Sequence, residues 1–188
     1  MQTCKSRLLL AVFVAVSIVG LARPGFAQQG SAQAEKAPLK IPMVRPNLYP
    51  AEANGREEIQ SAIKEAGATN KRVLIVFGAN WCGDCYALDY GFHRPKIEPL
   101  LTSNFQIVHV NVGQFDKNLD IVKQYKVPLE KGIPSLAVLD GRGGLLYSTP
   151  EFEKAHIMSE DDIIQFLNTW KPGAHAQKAG AKKVEAQK

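Results

Sequence analysis

The stretch Val73-Leu74-Ile75-Val76-Phe77-Gly78-Ala79-Asn80-Trp81-Cys82-Gly83-Asp84-Cys85 ends an apolar run in two cysteines that are separated by two residues. The run over residues 73–77 predicts a buried strand, so the cysteines fall where the next helix begins. Backbone N–H groups are unpaired at that helix end and the helix dipole is positive there, and both favour the thiolate of Cys82 over its thiol. Because the thiolate is the reactive form, Cys82 is the predicted nucleophile, and Cys85 lies close enough to form a disulfide with it.

The third cysteine, Cys4, lies in a segment that is typical of a secretory signal. Two basic residues precede an apolar stretch over residues 8–22, and Gly25-Phe26-Ala27 offers small residues at the cleavage positions. The apolar stretch is shorter than the roughly 20 residues that cross a bilayer. We therefore expect export, to the periplasm, with cleavage of a signal peptide over residues 1–27. Retention of this segment as an anchor is the alternative.

After such a cleavage, the cysteines of the mature chain are one close pair. Structural disulfide frameworks usually distribute cysteines through a small domain. A lone pair in an exported protein is more typical of redox chemistry, in which electrons pass to the disulfide of another protein. The alternative is a fixed structural disulfide across one turn.

The net positive charge of the chain comes from its two ends. The formal net charge is +5 and the pI is about 9.1, but residues 28–170 carry 15 basic and 17 acidic residues. No basic face is left in the part that is expected to fold, so we do not expect nucleic acid as a partner.

Composition also divides the chain. Residues 28–50 have prolines at four-residue intervals, which predicts an extended linker or arm. Residues 51–171 are long enough for one domain with its own core. Residues 172–188 are rich in lysine and alanine and are expected to form a disordered tail.

The hydrophobic pattern within the domain alternates between helix and strand and then predicts a strand pair. This order predicts an α/β fold with a mixed sheet and helices on both of its faces. The predicted elements are a helix from Asn54 or Gly55 to Gly67, strand 73–77, a helix from near Cys82 towards Tyr90, a helical piece over 95–101, strand 105–112, helix 119–125, strands 136–139 and 145–148, and a last helix that a capping box opens at Ser159 and Pro172 ends.

Two motifs together resemble the thioredoxin superfamily over about residues 51–171. The sequence Trp-Cys-Gly-x-Cys at 81–85 is similar to the redox motif of that family, and Gly-Ile-Pro-Ser at 132–135 is similar to the loop whose proline is cis there. The chain looks most like exported thioredoxin-like proteins, including the C-terminal periplasmic domain of the thiol–disulfide interchange protein. A longer connection over residues 90–95 is the feature it shares with that group.

The resemblance implies a thioredoxin fold, with a central mixed β-sheet flanked by helices, and roles for individual residues. Cys82 and Cys85 would be the catalytic pair of a protein-disulfide reductase or oxidoreductase. Ile133 would pair its backbone with the substrate chain as an added strand beside Pro134. Trp81 would shield the site and offer an apolar contact surface; simple core packing is the other interpretation of this side chain.

Two positions depart from the cytosolic members of the family. Those carry a buried aspartate where this chain has Val76, and a lysine at the position that corresponds to His109. We hypothesise that His109 carries protons for the second cysteine, since an unperturbed imidazole titrates near neutral pH. The alternative is a strand histidine without a catalytic role.

Gly83 and Asp84, between the cysteines, are expected to modulate the redox couple. Asp84 suits the first turn of a helix, but its charge also disfavours a thiolate at Cys82. We therefore expect a more reducing couple, which favours electron donation over disulfide formation.

We expect no bound cofactor beyond the Cys82–Cys85 disulfide itself, and no metal. The expected partners are protein disulfides and a membrane thiol–disulfide interchange protein as electron donor, and we expect a monomer. The four histidines form no paired metal motif with the cysteines. The alternative function is a metallochaperone or redox-gated binding module in which Cys82, Cys85 and one distant histidine hold a soft metal ion.

Overall fold

The structure is a computed structural model that describes residues 46–174. The predicted signal segment, most of the predicted arm and nearly all of the predicted tail lie outside the described residues. The strands are β1 (Arg72–Gly78), β2 (Phe105–Asn111), β3 (Ser135–Leu139) and β4 (Leu145–Thr149); the helices are α1 (Gly55–Thr69), α2 (Gly83–Phe92), α3 (Glu98–Asn104), α4 (Leu119–Gln124) and α5 (Glu160–Trp170), with short 3-10 helices at Leu129–Lys131 and Ala155–Ile157.

The strands form one mixed sheet in the order β2-β1-β3-β4. β1 runs parallel to β2 and antiparallel to β3, and β3 and β4 form an antiparallel pair. The register of the parallel pair sets Val76 opposite His109. This mixed sheet with its helices confirms the predicted α/β thioredoxin-type fold class.

The central strand β1 is buried on both faces, as its unbroken apolar sequence predicts. Successive side chains of a strand point to opposite faces, so Ile75 and Phe77 enter one core cluster and Leu74 and Val76 enter the other. Helix α1 contributes to the first cluster, and helices α2, α3 and α5 contribute to the second. The sheet therefore lies between two apolar layers.

Predicted boundaries of three helices are wrong. Helix α1 continues past Gly67 to Thr69 and ends at Asn70, which adopts a left-handed conformation with φ 53°. Gly67 serves a close approach instead, because a Cβ there would lie 2.8 Å from the carbonyl oxygen of Gly141. Helix α2 likewise continues through Gly91.

The third boundary is the start of α3. The helix begins at Glu98, whereas the sequence pattern predicts Pro95. The backbone N–H groups of Ile97 and Glu98 both donate to the carbonyl of Arg94. These bonds form a turn over residues 94–98, just before the helix. The capping box of α5 is present as predicted, with Ser159 and Asp162 each bonding the backbone of the other.

The end of the predicted arm packs on the domain. Tyr49 is 1% exposed and belongs to the core cluster that contains both active-site cysteines. Its backbone N–H donates to Asn80 Oδ1 at 3.1 Å, and its carbonyl accepts from the side-chain amides of Asn80 and Asn111. The folded part of the chain therefore begins before residue 51.

Candidate active site

Cys82 caps the amino end of helix α2. Its sulfur accepts a hydrogen bond from the backbone N–H of Cys85 at 3.0 Å, which is the position of a capping side chain. The side chain is 4% exposed. The sequence places the sulfur here because the buried strand β1 ends at Gly78 and leaves four residues to turn into the helix. The helix dipole and the donated N–H both favour negative charge on this sulfur.

Cys85 is joined to Cys82 by a disulfide, with their Cα atoms 5.4 Å apart. It lies in the first turn of α2 and is 1% exposed, and both cysteines are buried. The position of Cys82 at the helix end, which favours its thiolate, suits it for attack on an external disulfide and leaves Cys85 to attack Cys82.

The loop before β3 faces the disulfide. The Ile133–Pro134 peptide bond is cis, as the resemblance implies. The carbonyl oxygen of Ile133 lies 3.6 Å from Cys82 Sγ, and Ser135 Oγ donates to the carbonyl of Gly132 at 2.6 Å. Two segments that are 51 residues apart in sequence thus meet at the reactive sulfur.

Comparison with known proteins agrees with this geometry. A family model described as thioredoxin-like matches residues 56–141, a span that contains both motifs. The solved structure of a disulphide isomerase from Xylella fastidiosa Temecula1 is 34% identical, with a TM-score of 0.64, over 67% of this chain and 98% of that one. This chain belongs to the thioredoxin-like family.

A second relative is the thiol:disulfide interchange protein DsbD of Vibrio cholerae, which is 31% identical over 88 residues, or 46% of this chain. The match spans only 14% of the length of DsbD. The oxidised C-terminal domain of DsbD from Neisseria meningitidis is 16% identical with a TM-score of 0.47, over 62% of this chain and 96% of that domain. The family model, the Xylella structure and the Vibrio relative confirm the resemblance inferred from the two motifs.

Trp81 lies at the rim of this thioredoxin-like site. It is 47% exposed, so its interpretation as a core-packing side chain is wrong. Its indole N–H donates to the carbonyl of Gly113 at 2.8 Å, and its ring meets the edge of Phe115 with the centroids 5.8 Å apart. Phe115 is itself 43% exposed and has a left-handed φ of 65°. The two rings form an apolar rim beside Cys82.

A shallow groove continues from this rim. It has a volume of about 390 Å³ and lies between Phe115 and the segment 129–132. That segment leads directly into the Ile133–Pro134 loop. The sequence pattern did not single out Phe115, because an isolated aromatic residue in a polar loop carries no periodic signal.

Asp84 has a partner that the sequence analysis missed. Its Oδ1 accepts from the backbone N–H of His156 at 2.9 Å and lies 2.6 Å from Nδ1 of the same residue. The 3-10 helix Ala155–Ile157 is thereby joined to the first turn of α2. Hydrogen bonds to His156 partly compensate the negative charge of the Asp84 carboxylate, so the carboxylate repels a thiolate at Cys82 less strongly.

His109 lies below the site, on β2. Its Nε2 is 3.9 Å from Asp89 Oδ1, and its ring is nearly perpendicular to that of Tyr49, with the ring centroids 5.4 Å apart. Burial, with a smaller contribution from the charge of His93, lowers the pKa of His109 to about 4. The expectation of an imidazole that titrates near neutral pH is therefore wrong, and the proton-carrying role stays a prediction.

Two further histidines, His93 and His175, are candidate metal ligands. His93 lies near the end of α2, with Nδ1 2.8 Å from the carbonyl oxygen of Asp89, and His175 is outside the described residues. Over residues 46–174, no group of three or more His, Cys, Asp or Glu side chains is arranged to hold a metal ion. In the same range, no helix is both long and apolar enough to cross a membrane.

Replacement of Asp84 tests the charge next to the nucleophile. Asp84→Asn removes a negative charge near Cys82 and should make the reduction potential less negative by roughly 10–20 mV, the equivalent of about 0.5–1 kcal/mol. Asp161→Asn, a first-turn acid of α5, is the matched control and should leave the potential unchanged. A shift towards more negative values in Asp84→Asn would contradict the sign that we assign to this charge.

Replacement of His109 tests its depressed pKa. A histidine whose folded pKa lies below its unfolded value binds protons preferentially in the unfolded state, so the stability it allows is lost as pH falls from about 6.5 to about 4. Between pH 7 and pH 4, the wild type should lose ~3 kcal/mol more unfolding free energy than His109→Gln. Urea denaturation across this pH range measures the difference.

Two neighbours of His109 set the controls for that experiment. Burial raises the pKa of Asp89, so this carboxyl adds unfolding free energy as pH falls, which is opposite in sign to the effect of His109. The contribution of Asp89 is present in both the wild type and His109→Gln. His93→Gln changes an exposed histidine, and this variant should keep most of the loss of unfolding free energy between pH 7 and pH 4. Equal loss in the wild type and in His109→Gln would show that His109 is not kept neutral by burial.

Proposed function

We propose that this chain is a thiol–disulfide oxidoreductase that reduces disulfides of exported proteins through Cys82 and Cys85. The observation that carries the proposal is the position of Cys82 Sγ, which caps α2 and lies 3.6 Å from the Ile133 carbonyl on the loop that faces it. A sulfur that is activated by a helix end can exchange electrons with the disulfide of a second chain, and the loop beside it can pair its backbone with that chain.

The reaction takes place in two exchanges. In the reduced protein, the Cys82 thiolate attacks a client disulfide, the client S–S bond breaks, and one client thiolate leaves. Cys85 then loses its proton to solvent and attacks Cys82 Sγ. The Cys82–Cys85 bond forms, the mixed disulfide breaks, and the second client thiolate leaves. Two electrons pass from the cysteine pair to the client.

The surface around the sulfur suits an extended polypeptide. The loop Ile133–Pro134 offers its backbone next to Cys82. The apolar rim of Trp81 and Phe115 borders the groove, whose other side is formed by residues 129–132. Main-chain hydrogen bonds give such a contact affinity without sequence specificity, and aromatic rings add apolar area. We therefore infer clients that present a disulfide on an accessible, extended segment.

The same proposal includes three further points: the protein donates electrons to its clients, it acts in the periplasm, and a membrane protein supplies its electrons. The charge of Asp84 supports electron donation, although its contact with His156 reduces the effect. The features of residues 1–27 support export to the periplasm. The likeness to part of DsbD supports a membrane thiol–disulfide interchange protein as the donor. The chemistry needs no cofactor other than the disulfide itself.

Trapping of the mixed disulfide tests the proposed function. Reduced Cys85→Ser can attack a client but cannot resolve the complex, so it should accumulate a covalent adduct with reduction-sensitive mobility when mixed with oxidised insulin. Cys82→Ser is the matched control and should form no adduct, and both variants should lose insulin reduction. Adducts through Cys85 alone, or a purified protein that holds stoichiometric copper and reduces no disulfide, would contradict the proposal.

Replacement of Phe115 tests the apolar rim. Phe115→Asn removes the ring and keeps the left-handed backbone, since asparagine tolerates a positive φ. The KM for a protein disulfide should rise about tenfold, the effect of losing roughly 1.4 kcal/mol of contact, while reduction of a small aromatic disulfide stays within twofold. Leu146→Asn, at another exposed apolar side chain, is the control. An equal loss on both substrates would show that Phe115 supports the site and does not contact clients.

A further inference from the structure

The hydroxyl of Tyr49 is a buried polar group without a hydrogen bond. The side chain is 1% exposed, and within the described residues 46–174 its oxygen is the buried side-chain polar atom that lacks a partner. Nearly all buried hydroxyls are hydrogen-bonded, because an unsatisfied one loses its contacts with water and gains none. An exception next to a reactive site calls for a functional explanation.

This hydroxyl and the sulfur of Cys85 border the same small space. A Cβ added to Gly78 would overlap with the Tyr49 hydroxyl and would lie 2.8 Å from Cys85 Sγ. Gly78 is the last residue of β1, and its lack of a side chain lets the two groups approach each other there. A side chain at Gly78 would point to the same face of β1 as that of Val76, because the two residues are two positions apart in the strand.

Tyr49 is held firmly in that position. Its backbone is fixed by Asn80, which lies two residues before Cys82, and by Asn111 at the end of β2. Its ring packs against that of His109 with an interplanar angle of 88°. These contacts give the phenol ring little freedom to turn its hydroxyl away from the cysteine.

We propose that Tyr49 is a positioning residue for thiol–disulfide exchange, and that its hydroxyl donates a hydrogen bond to Cys85 Sγ when the cysteine pair is reduced. The inference rests on the proposed function. A disulfide sulfur is a poor acceptor, a thiol sulfur is a weak one and a thiolate is a strong one. The hydroxyl therefore gains a partner on reduction, the bond strengthens when Cys85 loses its proton for the attack on Cys82, and the partner is lost on oxidation. Val76 offers no polar group in this place, so the hydrogen bond comes from the segment before α1.

The proton stays on Tyr49 throughout. Burial and the nearby charge of Asp89, with a smaller contribution from Tyr86, raise the pKa of the phenol well above its usual value. His109, which meets the ring, is kept neutral by burial. The hydroxyl is therefore a fixed donor: when Cys85 attacks the mixed disulfide, its thiol proton goes to solvent, and Tyr49 stabilises the thiolate that remains.

Removal of the hydroxyl tests the inference. Tyr49→Phe keeps the ring, loses the hydrogen bond to the reduced form and relieves the unpaired group in the oxidised form. The equilibrium constant for oxidation by glutathione should rise about tenfold, which corresponds to a potential ~30 mV more negative. In a Cys82→Ser background, the pKa of Cys85, followed by thiolate absorbance, should rise by about one unit. Tyr125→Phe, another buried tyrosine of the same core cluster, is the control and should change neither value.

The outcomes separate this inference from the proposed function. Oxidised Tyr49→Phe should be at least as stable to heat as the oxidised wild type, because the hydroxyl it lacks has no partner there. A lower stability, or a glutathione equilibrium within twofold of the wild type, would overturn the inference and leave the proposed function intact. A wild type with no reversible thiol–disulfide couple would overturn both.

Discussion

The burial of β1 on both faces is the constraint on which the rest of the structure depends. The strand fills the centre of the sheet, and its apolar side chains face two separate core clusters. Its register is set by parallel pairing with β2 on one side and antiparallel pairing with β3 on the other. Its end at Gly78 therefore fixes where the chain turns, and this turn places Cys82 at the N-cap of α2.

The second consequence of this constraint is electrostatic. The sulfurs lie at the boundary between a helix end, which favours negative charge, and an apolar core, which disfavours it. Asp84 lies at this boundary between the cysteines, and three residues reach it from other segments: His156, which bonds Asp84, His109 on β2, and Tyr49 with its hydroxyl. We propose that the balance of these groups, and not the two cysteines alone, sets the reactivity of the pair.

The local parts of the site could be predicted from the sequence. The apolar run before the cysteines predicts their place at a strand-to-helix turn, and this follows from residues that are adjacent in the chain. That the Ile133-Pro134 loop lies at the site is implied by the resemblance to the thioredoxin superfamily. The capping box of α5 is a further local signal that the structure confirms.

The long-range contacts could not be predicted in this way. Asp84 and His156 are 72 residues apart, and no pattern joins a first-turn acid to a histidine in a short 3-10 helix. Tyr49 lies in a proline-rich segment whose composition predicts an extended arm, and its burial depends on two asparagines from other elements. The pKa of His109 depends on burial, which the sequence of a strand does not reveal.

The reduction potential of the Cys82–Cys85 couple is the most direct test of the account. It can be measured in the wild-type protein by equilibration with thiol buffers of known composition. A reversible couple at roughly −270 mV, near the value for thioredoxin, is the result that the account predicts for an electron donor to oxidised clients. A value near roughly −120 mV would indicate a disulfide-forming oxidant and would contradict the account.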